Sequence, residues 1–424
     1  MSKHTYNLSE IPGFNDLLKP NYVYSPNTLN PIILKINKIQ CKTNNASYSV
    51  IRYDKNFLCV DLIPSFGICR SVVLNSANQI VSFAPPKSNN ADDFIKKYNE
   101  NTPGIQAEEF VEGTMINVFF DSSIGVTGSW EISTRNTVGA TSSFFKPSSS
   151  KIFTNSKTFR EMFMEAAVEC KLDINKLETE LCYSFVVQHP ENRIVVPFSK
   201  PQLYLVGVYK INNMPNNITI DFFDVHKYQH FFSELGTSVK FPQVYEFTKY
   251  SELIEKYGSM NTPYDIVGVV IHNKNTGERT KIRNPVYEQV RNLRGNQPKL
   301  QYQYLSLRKE GKVKDFLQFY PENKKDFSVF RDQVHLFTNT LYSNYVSCYI
   351  KKEKHLIEFS EQYRTHMFNV HQLYINELRE KKQFVTNTFV QKYVNELHPS
   401  LLMYCLNFQM RKRNVDTIVS DNSV

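Results

Sequence analysis

The segment of residues 108–121 places acidic residues and a bend at the start of an apolar run. Glu109 and Glu112 precede Gly113, which supplies the bend, and residues 115–120 carry enough large apolar side chains for the interior of a sheet. The pattern predicts a turn that presents polar residues at the mouth of a buried strand, and we expect a functional site to be organised around it.

Three further segments carry polar residues at the ends of predicted strands. They are residues 128–137, 182–197 and 265–287. The first alternates polar and apolar residues and ends near Arg135, and the second ends in the turn Pro190-Glu191-Asn192-Arg193-Ile194-Val195. The third reads as a hairpin whose second strand carries Lys281 and Arg283.

These segments resemble the motifs of the ATP-dependent RNA ligases, which are covalent nucleotidyltransferases, and in particular the phage-type RNA ligase 1 family and its relatives in large DNA viruses. In that family an acidic residue precedes Lys-x-Asp-Gly-Ser and an apolar strand follows. Glu109, Glu112, Gly113 and Thr114 fall in register with this pattern, and Phe110 stands in the position of the lysine. The turn of residues 190–195 repeats the family's Pro-x-Asn-Arg-Ile-Val. The resemblance spans residues 65–290.

The resemblance implies a binding site for nucleotide phosphates. Arg70 and Lys87 flank a predicted hairpin similar to the family segment whose arginine and lysine contact the phosphates of ATP. Arg135 holds the cationic position of the second motif, although Asn136 stands where glycine is usual. The implied nucleotide- or phosphate-binding residues are Arg70, Lys87, Glu112, Arg135, Arg193, Lys281 and Arg283.

Three positions depart from the family, and all three lose a polar group. Phe110 replaces the lysine that attacks the α-phosphate of ATP, and Val186 and Val267 replace glutamates that hold the metal, the ribose or the lysine. Buried glutamates without those partners would cost several kcal/mol per unpaired charge, so the joint replacement is physically coherent. We therefore predict no catalytic residue and no metal ligand, and a protein that binds RNA or nucleotide without covalent chemistry. ATP is the candidate ligand, and Mg²⁺ is required only if the chain is active.

Two alternatives stay open at this point. The chain is an active RNA ligase whose nucleophile is another lysine, such as Lys87 or Lys274, or it is a structural protein that keeps the fold for interaction. Residues 274–279 imitate a nucleophile motif, but Asn-Thr-Gly between two strands is ordinary turn chemistry.

Composition sets only broad limits on the function. The 424 residues carry a formal net charge of +9, which favours an anionic partner weakly. There is no apolar run long enough to span a membrane and no signal-peptide core at the N-terminus. The seven cysteines are scattered without a Cys-x-x-Cys pair, which predicts reduced thiols and a cytoplasmic location, or the host cytoplasm for a viral protein. The oligomeric state stays open.

The predicted elements give an α+β protein: antiparallel sheets flanked by helices, then an all-helical C-terminal domain. We predict a ligase-like domain over residues 1–287, a helical domain over 288–413 and a flexible tail over 414–424. Residues 57–62 read as one of the early strands, and residues 157–172 as a helix capped by Asn155 or Ser156. In the helical domain, basic residues interleave with Tyr304, Phe316 and Tyr320, a pattern that fits either nucleic-acid binding or a solvated face over a core.

Overall fold

A computed structural model describes residues 4–19, 33–144 and 156–411. The chain forms two compact units, and the division between them falls after Gln289, inside the helix Pro285–Arg294. The predicted boundary after residue 287 lies in the same helix. The predicted tail over residues 414–424 lies outside the described residues.

The first unit is built from three antiparallel sheets. In chain order the strands are β1 His4–Asn7, β2 Leu34–Gln40, β3 Ser47–Tyr53, β4 Val72–Leu74, β5 Ile80–Phe83, β6 Ile105–Glu109, β7 Thr114–Asp121, β8 Ser129–Ser133, β9 Leu181–Gln188, β10 Gln202–Met214, β11 Asn217–Phe223, β12 Val244–Tyr245, β13 Gly268–Asn273 and β14 Arg279–Arg283. The sheets have the orders β1-β11-β10-β9-β7-β8, β2-β3-β4-β5 and β12-β6-β13-β14.

Helices cover these sheets on their apolar faces. Those that begin in the first unit are α1 Phe14–Leu17, α2 Ile63–Phe66, α3 Ala91–Lys97, α4 Phe159–Glu169, α5 Gln229–Glu234, α6 Tyr250–Tyr257 and α7 Pro285–Arg294. Helix α4 packs Phe163 and Ala166 into one core with Phe185 of β9 and Leu205 of β10. Because β9 is covered on both faces, all of its residues except Gln188 are buried.

The predicted helix over residues 157–172 is confirmed, but its cap differs from the prediction. Thr158 is the N-cap, and it forms a capping box with Glu161, in which each side chain accepts from the other's backbone N–H. Asn155 lies outside the described residues. Glu161 at the third helical position is the signal that identifies Thr158 as the cap.

The second unit is helical in its described residues. After the end of α7 its helices are α8 Leu300–Lys309, α9 Val313–Phe319, α10 Lys324–Tyr345, α11 Glu361–Leu373, α12 Asn387–Glu396 and α13 Pro399–Leu406, with π-helical turns at Val346–Ile350 and Tyr374–Leu378. Tyr304, Phe316 and Tyr320 are at most 3% exposed, and Phe316 stacks on Tyr320. These three rings are core residues, which agrees with the second of the two interpretations that their spacing allowed and leaves them unable to stack on bases.

The predicted α+β class is confirmed, with antiparallel sheets followed by helices. The strand predicted over residues 57–62 is wrong, because this segment is a turn that leads into a 3₁₀ helix at Val60–Leu62. Its apolar residues Phe57 and Val60 are exposed rather than paired in a sheet.

Candidate anion-binding face

The register of β6, β13 and β14 separates apolar from charged side chains. Directly opposed residues of antiparallel strands point to the same face, and successive residues alternate between faces. One face of this sheet carries Ala107, Val269 and Ile282, which form a core with α3 and α6. The opposite face carries the rows Gln106–His272–Arg279 and Glu108–Val270–Lys281. We name this second face, together with the cations that converge on it, the cationic face.

Phe110 follows β6 and lies under two cations of β14. The Lys281 Nζ atom lies 4.3 Å from the centroid of the Phe110 ring, and the Arg283 Cζ atom lies 5.3 Å from it. Both distances are within the range of a cation–π interaction. The ring that replaces the expected lysine is thus held directly beside an amine and a guanidinium.

Other cations reach this face from the remaining two sheets. Arg70 precedes β4, Lys87 follows β5, and Arg135 follows β8. Arg279 donates from Nη2 to the carbonyl oxygens of Pro85 and Pro86, at 3.4 and 2.7 Å. The guanidinium of Arg135 lies 4.9 Å from the Tyr53 ring centroid. None of these contacts neutralises a charge.

Burial and mutual repulsion lower the pKa values of three of these cations. Burial lowers the pKa of Lys281 well below its ordinary value, and the charges of Arg279, Arg70, Arg283 and Lys87 lower it further. Burial lowers the pKa of Arg70 to about 10, and Arg279 and Arg135 add to the effect. The pKa of Lys87 is lowered by burial and then by Arg70. The face is therefore a desolvated group of mutually repelling cations.

Among the described residues, five of these cations have no carboxylate within 4.0 Å: Arg70, Lys87, Arg135, Arg279 and Lys281. Arg283, at the edge, pairs with Glu288 at 2.6 Å. The Nε atoms of Arg135 and Arg279 are buried without a hydrogen-bond partner in the described part of the chain. Buried cations without counter-ions are costly, and an anionic ligand would relieve that cost.

The turn of residues 190–195 is fixed to the segment around Gly113. The Glu112 carboxylate accepts hydrogen bonds from the backbone N–H groups of Val195 and Val196, at 2.9 and 3.1 Å. The Asn192 amide donates to the Thr114 hydroxyl at 2.7 Å. Glu112 is 6% exposed, and burial raises the pKa of its carboxyl although these donors oppose the shift.

Gly113 connects this turn to β7 in a conformation that only glycine tolerates well. Its φ is +146°, and a Cβ atom there would lie 2.7 Å from the Cγ1 atom of Val186 and would overlap the carbonyl oxygen of Val187. Val186 therefore packs directly beside the bend that follows Phe110. Val267 is likewise buried, and its carbonyl accepts from the N–H of Asn284 at 3.0 Å.

Two viral proteins are similar to this chain in sequence. An RNA ligase of Rhodothermus phage RM378 is 25% identical over 293 residues, which are 62% of this chain and 64% of that protein. An immediate-early protein ICP-46 homolog of Invertebrate iridescent virus 6 is 24% identical over 321 residues, which are 69% of this chain and 65% of that protein. The match thus spans just under two thirds of each relative's own length. The chain is RNA ligase-like.

Solved structures of RNA ligases are also similar to this chain, with low TM-scores and low sequence identity. Naegleria gruberi RNA ligase with PPi gives a TM-score of 0.34 at 13% identity, covering 49% of this chain and 57% of that one. An archaeal ATP-dependent RNA ligase gives 0.40 at 12% identity, covering 70% and 72%. No family model matches the chain. In the described residues of this RNA ligase-like chain, no helix is both long and apolar enough to cross a membrane.

The structure brings most of the predicted phosphate-binding residues of the RNA ligase-like chain together, but not all. Arg70, Lys87, Arg135, Lys281 and Arg283 surround the cationic face. Glu112 and Arg193 instead hold the turn: the Arg193 Nε atom donates to the carbonyl of Val195 at 2.9 Å. Whether these residues contact a phosphate stays a prediction.

Sequence reasoning missed Arg279 and a second cluster beside it. The signal for Arg279 was present, because positions 279, 281 and 283 alternate along one strand and so share a face. The second cluster, Glu108, Asp224, His226, His272 and Lys274, gave no signal of that kind, although Lys274 itself was named as an alternative nucleophile. Its members come from three separate stretches of the chain, and the first three could hold a metal ion.

Proposed function

We propose that this protein binds the phosphates of a nucleotide or of an RNA end at the cationic face, without forming a lysyl-adenylate. The supporting observation is the convergence of five partly buried cations without carboxylate partners in the described residues, one of which, Lys281, has its amine 4.3 Å from the centroid of the Phe110 ring. The sequence likeness to a phage RNA ligase supports the same assignment of ligand.

The chemistry of the ligand follows from the charge of the face. Folding has partly desolvated these cations, and burial together with neighbouring cations lowers the pKa values of Arg70, Lys87 and Lys281. A phosphate group returns to each of them the charge-assisted hydrogen bonds that water had supplied, and each such bond is worth about 1.5–3 kcal/mol. Phosphate esters are therefore a better match to this face than neutral or cationic ligands.

Our proposal that the protein does not take up AMP covalently is based on Phe110. Adenylylation joins an amine nitrogen to the α-phosphorus and releases pyrophosphate, and a phenyl ring has no electron pair to form that bond. The buried Val186 and Val267 likewise offer no oxygen to a metal ion. Binding and covalent transfer are therefore separable in this protein.

An experiment with ATP labelled at the α-phosphate tests both parts. We expect the protein to bind ATP and 5′-phosphorylated RNA, with an affinity that falls steeply as salt is raised, and to give no labelled band on a denaturing gel. RNA with a 5′-hydroxyl is the matched control ligand, and it should bind more weakly. A labelled band that survives denaturation would overturn the non-covalent proposal, and failure to bind either phosphate ligand would overturn the binding proposal.

A second candidate function, RNA ligation through a relocated lysine, is favoured by one observation. The Lys281 amine lies 4.3 Å from the ring that occupies the nucleophile position, and its lowered pKa favours the uncharged form that attacks phosphorus. The variants Lys281→Arg, Lys87→Arg and Lys274→Arg retain the positive charge and remove the reactive amine. Loss of a labelled band in one of them would identify that lysine as the nucleophile.

We propose a cytoplasmic location, or the host cytoplasm for a viral protein. The proposal is supported by the seven cysteines, all of which are free thiols.

A further inference from the structure

The segment of residues 84–90, which we name the strap, joins β5 to α3 and contacts β14, the edge strand of its sheet. Asn89 forms a parallel bridge with Thr280, and the backbone N–H of Asn89 donates to the carbonyl of Arg279 at 2.8 Å. The Thr280 hydroxyl donates to the carbonyl of Asn89 at 3.0 Å. The C-terminal end of the strap is therefore bonded to β14.

The N-terminal half of the strap has no backbone donors, because Pro85 and Pro86 lack an N–H group. Their carbonyl oxygens still need hydrogen-bond partners, and Pro85 is buried. Arg279 supplies the partner, because its Nη2 atom lies 3.4 Å from the carbonyl oxygen of Pro85 and 2.7 Å from that of Pro86. A side chain of β14 thus holds the part of the strap that a strand cannot pair with.

Lys87 directly follows the two prolines that Arg279 holds. Its backbone N–H donates to the carbonyl of Gly67, at 2.9 Å, and Gly67 lies three residues before Arg70. The backbone of Lys87 is therefore fixed between β14 on one side and the segment before Arg70 on the other. The position of the Lys87 amine depends on both attachments.

Two roles fit a buried arginine at position 279. It could contact the phosphate itself, or it could support a residue that does. Its guanidinium already donates to two carbonyl oxygens of the strap, and its own carbonyl accepts from Asn89. These contacts favour support.

We propose that Arg279 is a positioning residue, which holds the strap so that the Lys87 amine reaches a phosphate bound at the cationic face. The inference rests on the proposed phosphate binding and assigns different roles to two of the cations. Lys87 contacts the phosphate, and Arg279 fixes the backbone that carries Lys87.

The variant Arg279→Lys separates support from charge. Lysine keeps the positive charge, but its ammonium is a point charge on a flexible stem and does not reproduce the planar guanidinium. If Arg279 acts through the strap, this variant loses most of the contribution that Lys87 makes to binding. If Arg279 acts through its charge or by contacting the phosphate, the effects of changing the two residues are independent and multiply.

Calorimetric titration with ATP measures this coupling. Lys87→Met should weaken binding about 10- to 150-fold, which corresponds to the loss of one charge-assisted hydrogen bond. Arg279→Lys should weaken it about tenfold or more, and adding Lys87→Met to Arg279→Lys should change the affinity by less than about threefold. Arg283→Lys is the matched control, because Arg283 lies on the same strand but donates to Glu288 at 2.6 Å. In that background Lys87→Met should keep its full effect.

Amide hydrogen exchange tests the strap without any ligand. Arg279→Lys should speed exchange at the backbone N–H groups of Lys87 and Asn89, and Arg283→Lys should not. Unchanged exchange in Arg279→Lys, or a full effect of Lys87→Met in its background, would overturn the positioning role. If the wild-type protein binds no phosphate ligand, the proposed function fails, and the exchange rates still decide whether Arg279 holds the strap.

Should Arg279→Lys fail to fold, Thr280→Val replaces it. Valine has a similar shape and removes the hydroxyl that donates to the carbonyl of Asn89. Exchange at Asn89 should then rise, and the effect of Lys87→Met on ATP binding should shrink. Wild-type values of both quantities in Thr280→Val would count against the proposal.

Discussion

Replacing Lys281 with methionine should stabilise the protein and weaken phosphate binding at the same time. Burial and neighbouring cations hold the pKa of Lys281 well below 10.5, so the unfolded chain binds its proton more tightly than the folded chain does. The resulting penalty is fully present below the folded pKa and disappears as pH rises from that value towards 10.5. Lys281→Met removes the penalty, and methionine fills a similar volume.

Lys281→Met also removes the cation–π contact with Phe110, which stabilises the folded protein by about 0.5–2 kcal/mol. The penalty that is removed comes from burial and from the repulsion of four neighbouring cations together, and we expect it to exceed this single contact. We therefore expect Lys281→Met to be more stable than wild type at pH 7 and to have a flatter rise in stability at alkaline pH. For a phosphate ligand, the loss of one charge-assisted hydrogen bond of about 1.5–3 kcal/mol weakens binding by about 10- to 150-fold.

Urea unfolding at several pH values and calorimetric titration with ATP measure the two effects. Lys240→Met is the matched control, because Lys240 also lies over an aromatic ring, 5.6 Å from the centroid of Tyr204, but is exposed. That variant should change neither quantity appreciably. A Lys281→Met protein with wild-type affinity for ATP, or with lower stability at pH 7, would refute the reasoning.

Two further predictions concern buried carboxylate and imidazole groups. Glu112→Ala leaves the N–H groups of Val195 and Val196 without their acceptor and should lower the free energy of unfolding, measured with urea, by about 2–6 kcal/mol. Glu112→Gln keeps one side-chain oxygen and should lower it by less. Equal decreases in the two variants would contradict the assigned hydrogen bonds. The pKa of His272 is about 3 when folded and 6.5 when unfolded, so stability should fall as pH drops from 6.5 towards 3, and His272→Asn should flatten this fall. Melting temperatures across that range test it, and an unchanged pH dependence would exclude His272 as the cause.

The local pattern of apolar and polar residues was sufficient to predict the strands and hairpins that carry the motifs. It predicted the hairpin within residues 265–287, which β13 and β14 form. It failed over residues 57–62, because an apolar composition alone does not guarantee a neighbouring strand to pair with. The same limit applies to the rings of the helical unit, where spacing cannot tell a core from a binding surface.

The clusters of the first unit depend on register between strands far apart in the chain. Lys281 meets Phe110 because Gly268 of β13 stands opposite Arg283 and Val269 stands opposite Glu109. Glu108 meets His226 only after two sheets come together, which no local pattern encodes. Chemistry that follows one strand, as at positions 279–283, is therefore readable from sequence, whereas chemistry between sheets is not.

The hydrogen bonds that Glu112 makes to Val195 and Val196 bear on how function is transferred between ligase-like sequences. These hydrogen bonds give the Pro190–Val195 turn a structural role, because they attach it to the segment before β7. That role does not depend on whether the protein forms a lysyl-adenylate. The sequence Pro-x-Asn-Arg-Ile-Val in another protein would therefore indicate a similar fold. It would not indicate whether that protein joins RNA strands.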